Sequence, residues 1–178
     1  SFYAATKKSN EIMAHSYSHL FNIPTTVFRF FTVYGSWGRP DMALFKFTKN
    51  ILSGKKIDVY NHGNMQRDFT HITDLVEAID LLIDVKPDFP IKRNNKIKFD
   101  NISHNAPYRI VNIGNANPVN LLDYINELEN ILGLKARKNF LKMQDGDLIN
   151  TSSNIQLLKE LTGFSPKVTL EEGIEEFV

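Results

Sequence analysis

The chain has 178 residues, 42% apolar and 23% charged, which are proportions of an ordinary globular protein able to bury a core. Its 21 Lys and Arg against 20 Asp and Glu leave a net charge of +1, which excludes the broad basic field that attracts nucleic acid or anionic lipid, so an anionic ligand has to be met locally. Cysteine is absent, which excludes disulfides and thiolate metal sites and fits a reducing, cytoplasmic setting. No apolar run reaches the roughly 20 residues of a membrane span, and the start lacks the basic-then-apolar order of a signal peptide.

The chain opens on Ser1-Phe2-Tyr3, without methionine and with no strand ahead of a helical pattern, so an upstream segment is expected. A helix is predicted over 4–21, with Ile12, Met13, Tyr17 and Leu20 available to an apolar side and Asn22 and Pro24 to stop it. Residues 25–33 are β-branched and aromatic with little polar alternation, which suits a strand buried on both faces of a parallel sheet. Gly35, Gly38 and Pro40 break it.

A helix over 43–52 ended by Gly54, a short strand over 57–60, a turn at His62-Gly63-Asn64 and an extended run over 67–72 follow. Asp74 then stands where an N-cap belongs, before Leu75, Ile79, Leu82 and Ile83 at helical spacing. The polar stretch 86–108 holds three prolines and no clear period, and reads as a mobile surface insertion. Beyond it come a strand over 108–113, a turn over 114–118, a helix over 121–132 and a short strand near Phe140. Ser153 is expected to cap a helix that Gly163 closes, and Thr169 with Glu172 forms a capping-box pattern. Strands alternating with helices predict an α/β fold.

Tyr3 and Lys7 lie four residues apart at a helix start, so both side chains can address one ligand. A phenol of pKa about 10 is a poor base at neutral pH, and a nearby ammonium favours its phenolate. A solvated helix that carries Tyr and Lys fits the same spacing. His15 and His19 share a helical face at metal-ligand spacing, but no third ligand is apparent, so no metal is expected.

The strings "YAATK" with Glu11, "RFFTVYGSWGRPDMA", "RDFTHITD", "NIG" and "GD" occur in this order through nearly the whole chain. Together they resemble the extended short-chain dehydrogenase/reductase family. Within it, "FFTVYGSWGRPDMALF" and "NFLKMQDGD" are most similar to bacterial UDP-glucuronate 4-epimerases. The resemblance implies the C-terminal part of a Rossmann-like doubly wound sheet, interleaved with a small α/β lobe that binds a UDP-sugar. It also implies NAD as cofactor and conversion of UDP-glucuronate to UDP-galacturonate through a 4-keto sugar, for capsule or lipopolysaccharide synthesis. A homodimer built on the first helix is implied as well.

The site residues carry over position by position. By resemblance, Tyr3 takes the proton of the sugar 4-hydroxyl and Lys7 holds the nicotinamide ribose. Thr32 touches the sugar, where its hydroxyl can donate to a carboxylate; a plain β-branched strand residue is the commoner explanation of a Thr at such a place. Arg39 lies beside the substrate, touching it or ordering its own loop, or is solvated. Arg67 grips the diphosphate as a fork, with a salt bridge to Asp68 as the plainer alternative. Asp147 meets the uridine ribose or is a turn residue after Gly146. Gln144 stands where many neutral-sugar epimerases carry Arg, which leaves Arg67 more of the phosphate load. Asp74, read as a cap, is left outside the site.

The family's Gly-rich pyrophosphate turn does not occur in this sequence, nor does the Ser or Thr partner that precedes Tyr3. These 178 residues are therefore expected neither to bind NAD tightly nor to turn over alone, and either to self-associate through an uncovered sheet edge and helix face or to be poorly stable. The competing readings are a decarboxylase or dehydratase of the same fold, and a truncated, non-catalytic UDP-sugar-binding fragment.

Overall fold

The structure is a computed structural model that describes residues 1–88 and 97–178. In chain order its elements are α1 (Phe2–Phe21), β1 (Thr25–Phe30), β2 (Thr32–Tyr34), α2 (Ala43–Leu52), β3 (Lys56–Val59), β4 (Gln66–His71), α3 (Ile72–Ile83), β5 (Tyr108–Ile113), β6 (Pro118–Asn120), α4 (Leu121–Leu132), β7 (Arg137–Phe140), α5 (Gln156–Thr162) and α6 (Leu170–Phe177). They form an α/β fold in two compact units. One comprises Ser1–Phe30, Val76–Ile113 and Asn154–Ser165; the other comprises Phe31–Leu75, Gly114–Ser153 and Pro166–Val178.

In the first unit, α1 starts where the Ser1 hydroxyl accepts the Ala4 N–H and ends where Asn22 turns left-handed at φ 51°. Strand β1 runs parallel to β5, from Thr25 opposite Tyr108 to Phe30 opposite Ile113. Tyr108, Val111 and Ile113 of β5 are buried with Ala78, Leu82, Ile155, Leu157, Leu158 and Phe164. Arg109 is buried among them, and Asp100 satisfies it through two bonds of 2.9 Å. The Glu11 carboxylate ties α1 to β1 by accepting both Nε and Nη2 of Arg29, at 2.6 and 2.7 Å, while also pairing with Lys8. The Tyr108 hydroxyl adds a bond to the Glu11 carbonyl.

The expected insertion 86–108 falls partly on residues 89–96, outside the described residues. Of its remainder, the Asn101 side chain bonds both the N–H and the carbonyl of Ile110, and Ser103 and Asn105 meet His15 and His19 of α1.

In the second unit, β4 is central: β2 pairs parallel to its residues Phe69–His71, and β6 antiparallel to its residues 66–68. Parallel β3 and β7 form a separate pair. Apolar faces of α2, α4 and α6 close over Tyr34, Ile57, Val59 and Phe69, and the Phe69 ring stacks on Tyr124 at 4.4 Å. The capping box holds, with Thr169 and Glu172 exchanging both bonds at the start of α6. Gly173 permits α6 to approach: a Cβ there would stand 2.4 Å from the Tyr34 hydroxyl.

Three local expectations are corrected. The strand over 25–33 divides at Phe31, and its halves take different partners, β5 for β1 and β4 for β2. Strand β1, with β5 as its one neighbour among the described strands, is half-buried rather than buried on both faces. Asp74 does not cap α3; it lies inside the first turn, where its buried carboxylate accepts the backbone N–H groups of Lys167 and Val168 at 3.0–3.1 Å. Ser153 does not cap α5 either, which starts after Ile155; Ser153 is buried and bonded to Asp68. Caps and bridges use the same short polar side chains, so composition alone does not separate them.

Asp74 and the half-buried Glu11 each generate a prediction. Asp74→Ala removes the acceptor of two N–H groups and should cost at least about 2 kcal/mol of stability, with Asp74→Asn losing roughly half as much, as read by urea unfolding. The hydrogen bond from Arg29, with help from Lys8, holds Glu11 at a pKa of about 2, below its ordinary 4.5. Because the folded value is the lower one, the ion pair stabilises the fold above the unfolded pKa and is lost as pH falls through about 2. The stability gap between wild type and Glu11→Gln should thus be constant above about pH 5 and close on acidification.

Candidate active site

The first unit carries Tyr3 and Lys7. One helical turn apart on α1, they meet: the Lys7 ammonium lies 5.2 Å from the centroid of the Tyr3 ring, and Tyr3 is 69% exposed. The phenol is thus presented to solvent with a cation beside it. One turn further on, Glu11 and Arg29 fix the helix to β1, so the pair stands on a braced element.

The second unit carries Thr32, Arg39, Arg67, Gln144 and Asp147. Thr32 sits opposite Phe69 on β2, half-buried, and lines a recess with Arg39, Met42, Phe45 and Phe177. That recess measures about 40 Å³, room for a few waters. Arg39 makes a two-pronged ion pair with Asp41, at 3.0 and 2.5 Å, on an exposed loop. The pair holds the Asp41 carboxyl below the usual carboxylate range.

Arg67 and Asp147 come together from 80 residues apart, with Nη2 donating to Oδ1 at 2.9 Å. Two carbonyls, those of Gln66 at 2.9 Å and Ile149 at 3.2 Å, accept from Arg67 Nη1 and fix the guanidinium plane. Gln144 contributes through its backbone, its carbonyl accepting the Asp147 N–H at 3.3 Å across a turn in which Gly146 has φ 78°. This cluster joins a forked cation to a carboxylate that can take paired hydroxyl donors.

Asp68, the alternative partner of Arg67, has a different role. Consecutive strand residues face opposite ways, and Asp68 turns inward. It is fully buried and accepts the N–H groups of Asn115 at 2.8 Å, Ala116 at 3.1 Å and Ser153 at 2.8 Å, and the Ser153 hydroxyl at 2.6 Å. Sequence reasoning missed this residue, and the available signal was a carboxylate inside an otherwise buried strand. Buried His71 was also passed over; its Nδ1 meets the Thr73 hydroxyl at 2.8 Å, and its Nε2 lies 3.7 Å from Glu176.

Among the described residues, no group of three or more His, Asp or Glu side chains could hold a metal ion. His15 and His19 meet the Ser103 hydroxyl at 2.8 Å and the Asn105 carbonyl at 2.6 Å. No helix among the described residues is long and apolar enough to cross a membrane.

Protein CapI of Staphylococcus aureus is 54% identical over 178 residues, covering 100% of this chain and 53% of that protein. A Rhizobium meliloti (strain 1021) protein named "Probable UDP-glucuronate 4-epimerase" is 52% identical over 176 residues, covering 99% of this chain and 52% of that protein. The crystal structure of UDP-glucuronic acid 4-epimerase from Bacillus cereus in complex with UDP-glucuronic acid and NAD superposes with a TM-score of 0.81 at 34% identity, over 97% of this chain and 50% of that one. The chain therefore spans about half the length of the curated relatives it matches. Residues 1–94, more than half of the 178, match the family described as "Epimerase: NAD dependent epimerase/dehydratase family". The chain belongs to the NAD dependent epimerase/dehydratase family.

Proposed function

We propose that the protein carrying this chain catalyses the NAD-dependent 4-epimerisation of UDP-glucuronate to UDP-galacturonate, a building block for capsule or lipopolysaccharide. The observation that carries this reading is the Tyr3–Lys7 pair, a phenol with an ammonium 5.2 Å from its ring centroid at the exposed start of a braced helix. The names of the relatives support the choice of sugar, since the Bacillus cereus enzyme was crystallised with UDP-glucuronic acid and NAD.

The residues divide the work. Tyr3 takes the proton of the sugar 4-hydroxyl and later returns it, and Lys7 binds ribose hydroxyls of the cofactor. Bound NAD supplies the acceptance and return of hydride. Of that cofactor, the residues present fit the nicotinamide ribose, since Tyr3 and Lys7 offer a hydroxyl and three ammonium donors on one exposed face; the sequence holds no Gly-rich turn for its pyrophosphate. Arg67 binds the diphosphate and Asp147 the uridine ribose, so nucleotide binding replaces or shares their mutual bond. Thr32 donates to the glucuronate carboxylate, Arg39 orders its own loop through Asp41, and Gln144 sets the turn before Asp147.

Two finer assignments accompany the reaction. Ile12, Met13, Tyr17 and Leu20, each more than half exposed on α1, support a homodimer packed through this helix. A nucleotide-sugar substrate and NAD support a cytoplasmic setting for the reaction.

Incubation of the intact protein with UDP-glucuronate should yield UDP-galacturonate, with an equilibrium mixture seen by chromatography. A UDP-pentose would instead establish decarboxylation, and an unchanged substrate would remove the assignment. Tyr3→Phe should lower kcat by about 10²–10⁴-fold. Arg67→Ala should mainly raise KM, by about 10–100-fold, through loss of a charge-assisted bond.

A further inference from the structure

Strand β4 leaves one edge of its first half to a ribbon of irregular chain. Residues 66–68 pair with β6 on one side, whereas β2 reaches only Phe69–His71 on the other. The uncovered edge is taken by residues 147–153, running parallel: Gln66 N–H donates to the Ile149 carbonyl at 2.9 Å, Thr151 N–H donates to the Gln66 carbonyl at 3.2 Å, and Gln66 bridges Asn150. At one end of this ribbon Asp147 meets Arg67; at the other, Ser153 meets Asp68 through its N–H and its hydroxyl.

Between these ends the attachment is thin: two backbone bonds, the bond from Asp68 N–H to the Thr151 hydroxyl and that from Arg67 Nη1 to the Ile149 carbonyl. A ribbon held so lightly can slip, and one residue of slip moves it about 3.3 Å and turns every side chain to the opposite face. Asp147 would then leave Arg67. The fixed point against slippage is Asp68, whose buried carboxylate also accepts from Asn115 and Ala116 and so has no spare position to follow a moving partner. Gly114 makes room for the anchor: a Cβ there would fall 2.3 Å from the Ser153 hydroxyl.

We infer that Asp68, acting through Ser153, is a positioning residue that sets the register of the 147–153 ribbon and thereby holds Asp147 at Arg67 to receive the nucleotide. Asp68 acts at a distance and touches no ligand itself. The inference rests on the reading of Arg67 and Asp147 as nucleotide ligands.

The test is a double-mutant cycle on UDP binding by the intact protein, measured calorimetrically. Ser153→Ala is the mild variant, keeping the backbone bond to Asp68 but deleting the hydroxyl, and it is expected to weaken UDP about tenfold. Asp147→Asn should weaken UDP by itself, and the double variant should bind no worse than the weaker single one, because a mispositioned Asp147 has nothing left to lose. Gly114→Ala, which displaces Ser153 from the other side, should reproduce the Ser153→Ala loss and the same lack of additivity. A merely structural role of Asp68 predicts that the two losses multiply, and that result, or wild-type affinity in Ser153→Ala, overturns the inference while leaving the nucleotide assignment intact. Failure of the wild-type protein to bind UDP overturns both.

Discussion

A carboxylate cut off from water has to be given donors, and the way this chain satisfies Asp68 organises much of its second unit. Four bonds converge on that side chain, three from backbone N–H groups and one from a hydroxyl, and they gather β4, the turn after β5 and the segment that ends at Ser153. Ser153 is itself buried, so the loss of the carboxylate would take the acceptor from a buried N–H and a buried hydroxyl at once. The adjacent residue, Arg67, faces the other way along the strand and is thereby free to meet Asp147. A single Arg-Asp pair on one strand thus supplies a forked cation to one face and an anchor to the other.

The first unit uses the same device with a different purpose. Glu11 on α1 receives the fork of Arg29 from β1, and the Arg29 hydrogen bond lowers its pKa to about 2, so the ion pair persists at any pH well above that value. The helix that bears Tyr3 and Lys7 is therefore fixed by charge as well as by packing. The exposed Tyr3–Lys7 pair gains from such bracing, because the apolar residues of α1 around it are themselves largely exposed.

What could be read from the sequence was whatever depends on neighbours along the chain. The helix over 43–52, the strand over 108–113 and the Thr169–Glu172 capping box are specified by local period and local hydrogen bonding, and each stands where expected. The encounter of Tyr3 with Lys7 is likewise a consequence of helical spacing. The break at Phe31 was not legible, because the apolar run continues through it and the change of partner from β5 to β4 is a tertiary choice. Asp74 and Ser153 stand in sequence where caps belong, but the side chains that cap a helix also bridge to distant backbone. No local pattern announces that the acceptor of Lys167 N–H lies 93 residues away. Arg67 and Asp147, 80 residues apart, were joined only through family resemblance, which named both as ligands without indicating that they contact each other.

The central claim is that hydrogen leaves C4 of the sugar and comes back to the same carbon on the opposite face, with Tyr3 handling the hydroxyl proton. It is tested most directly with UDP-glucuronate deuterated at C4, in ordinary water, with the product examined by mass spectrometry and NMR. The account predicts UDP-galacturonate that retains deuterium at C4. Exchange of that deuterium for solvent hydrogen in the epimerised product would contradict it.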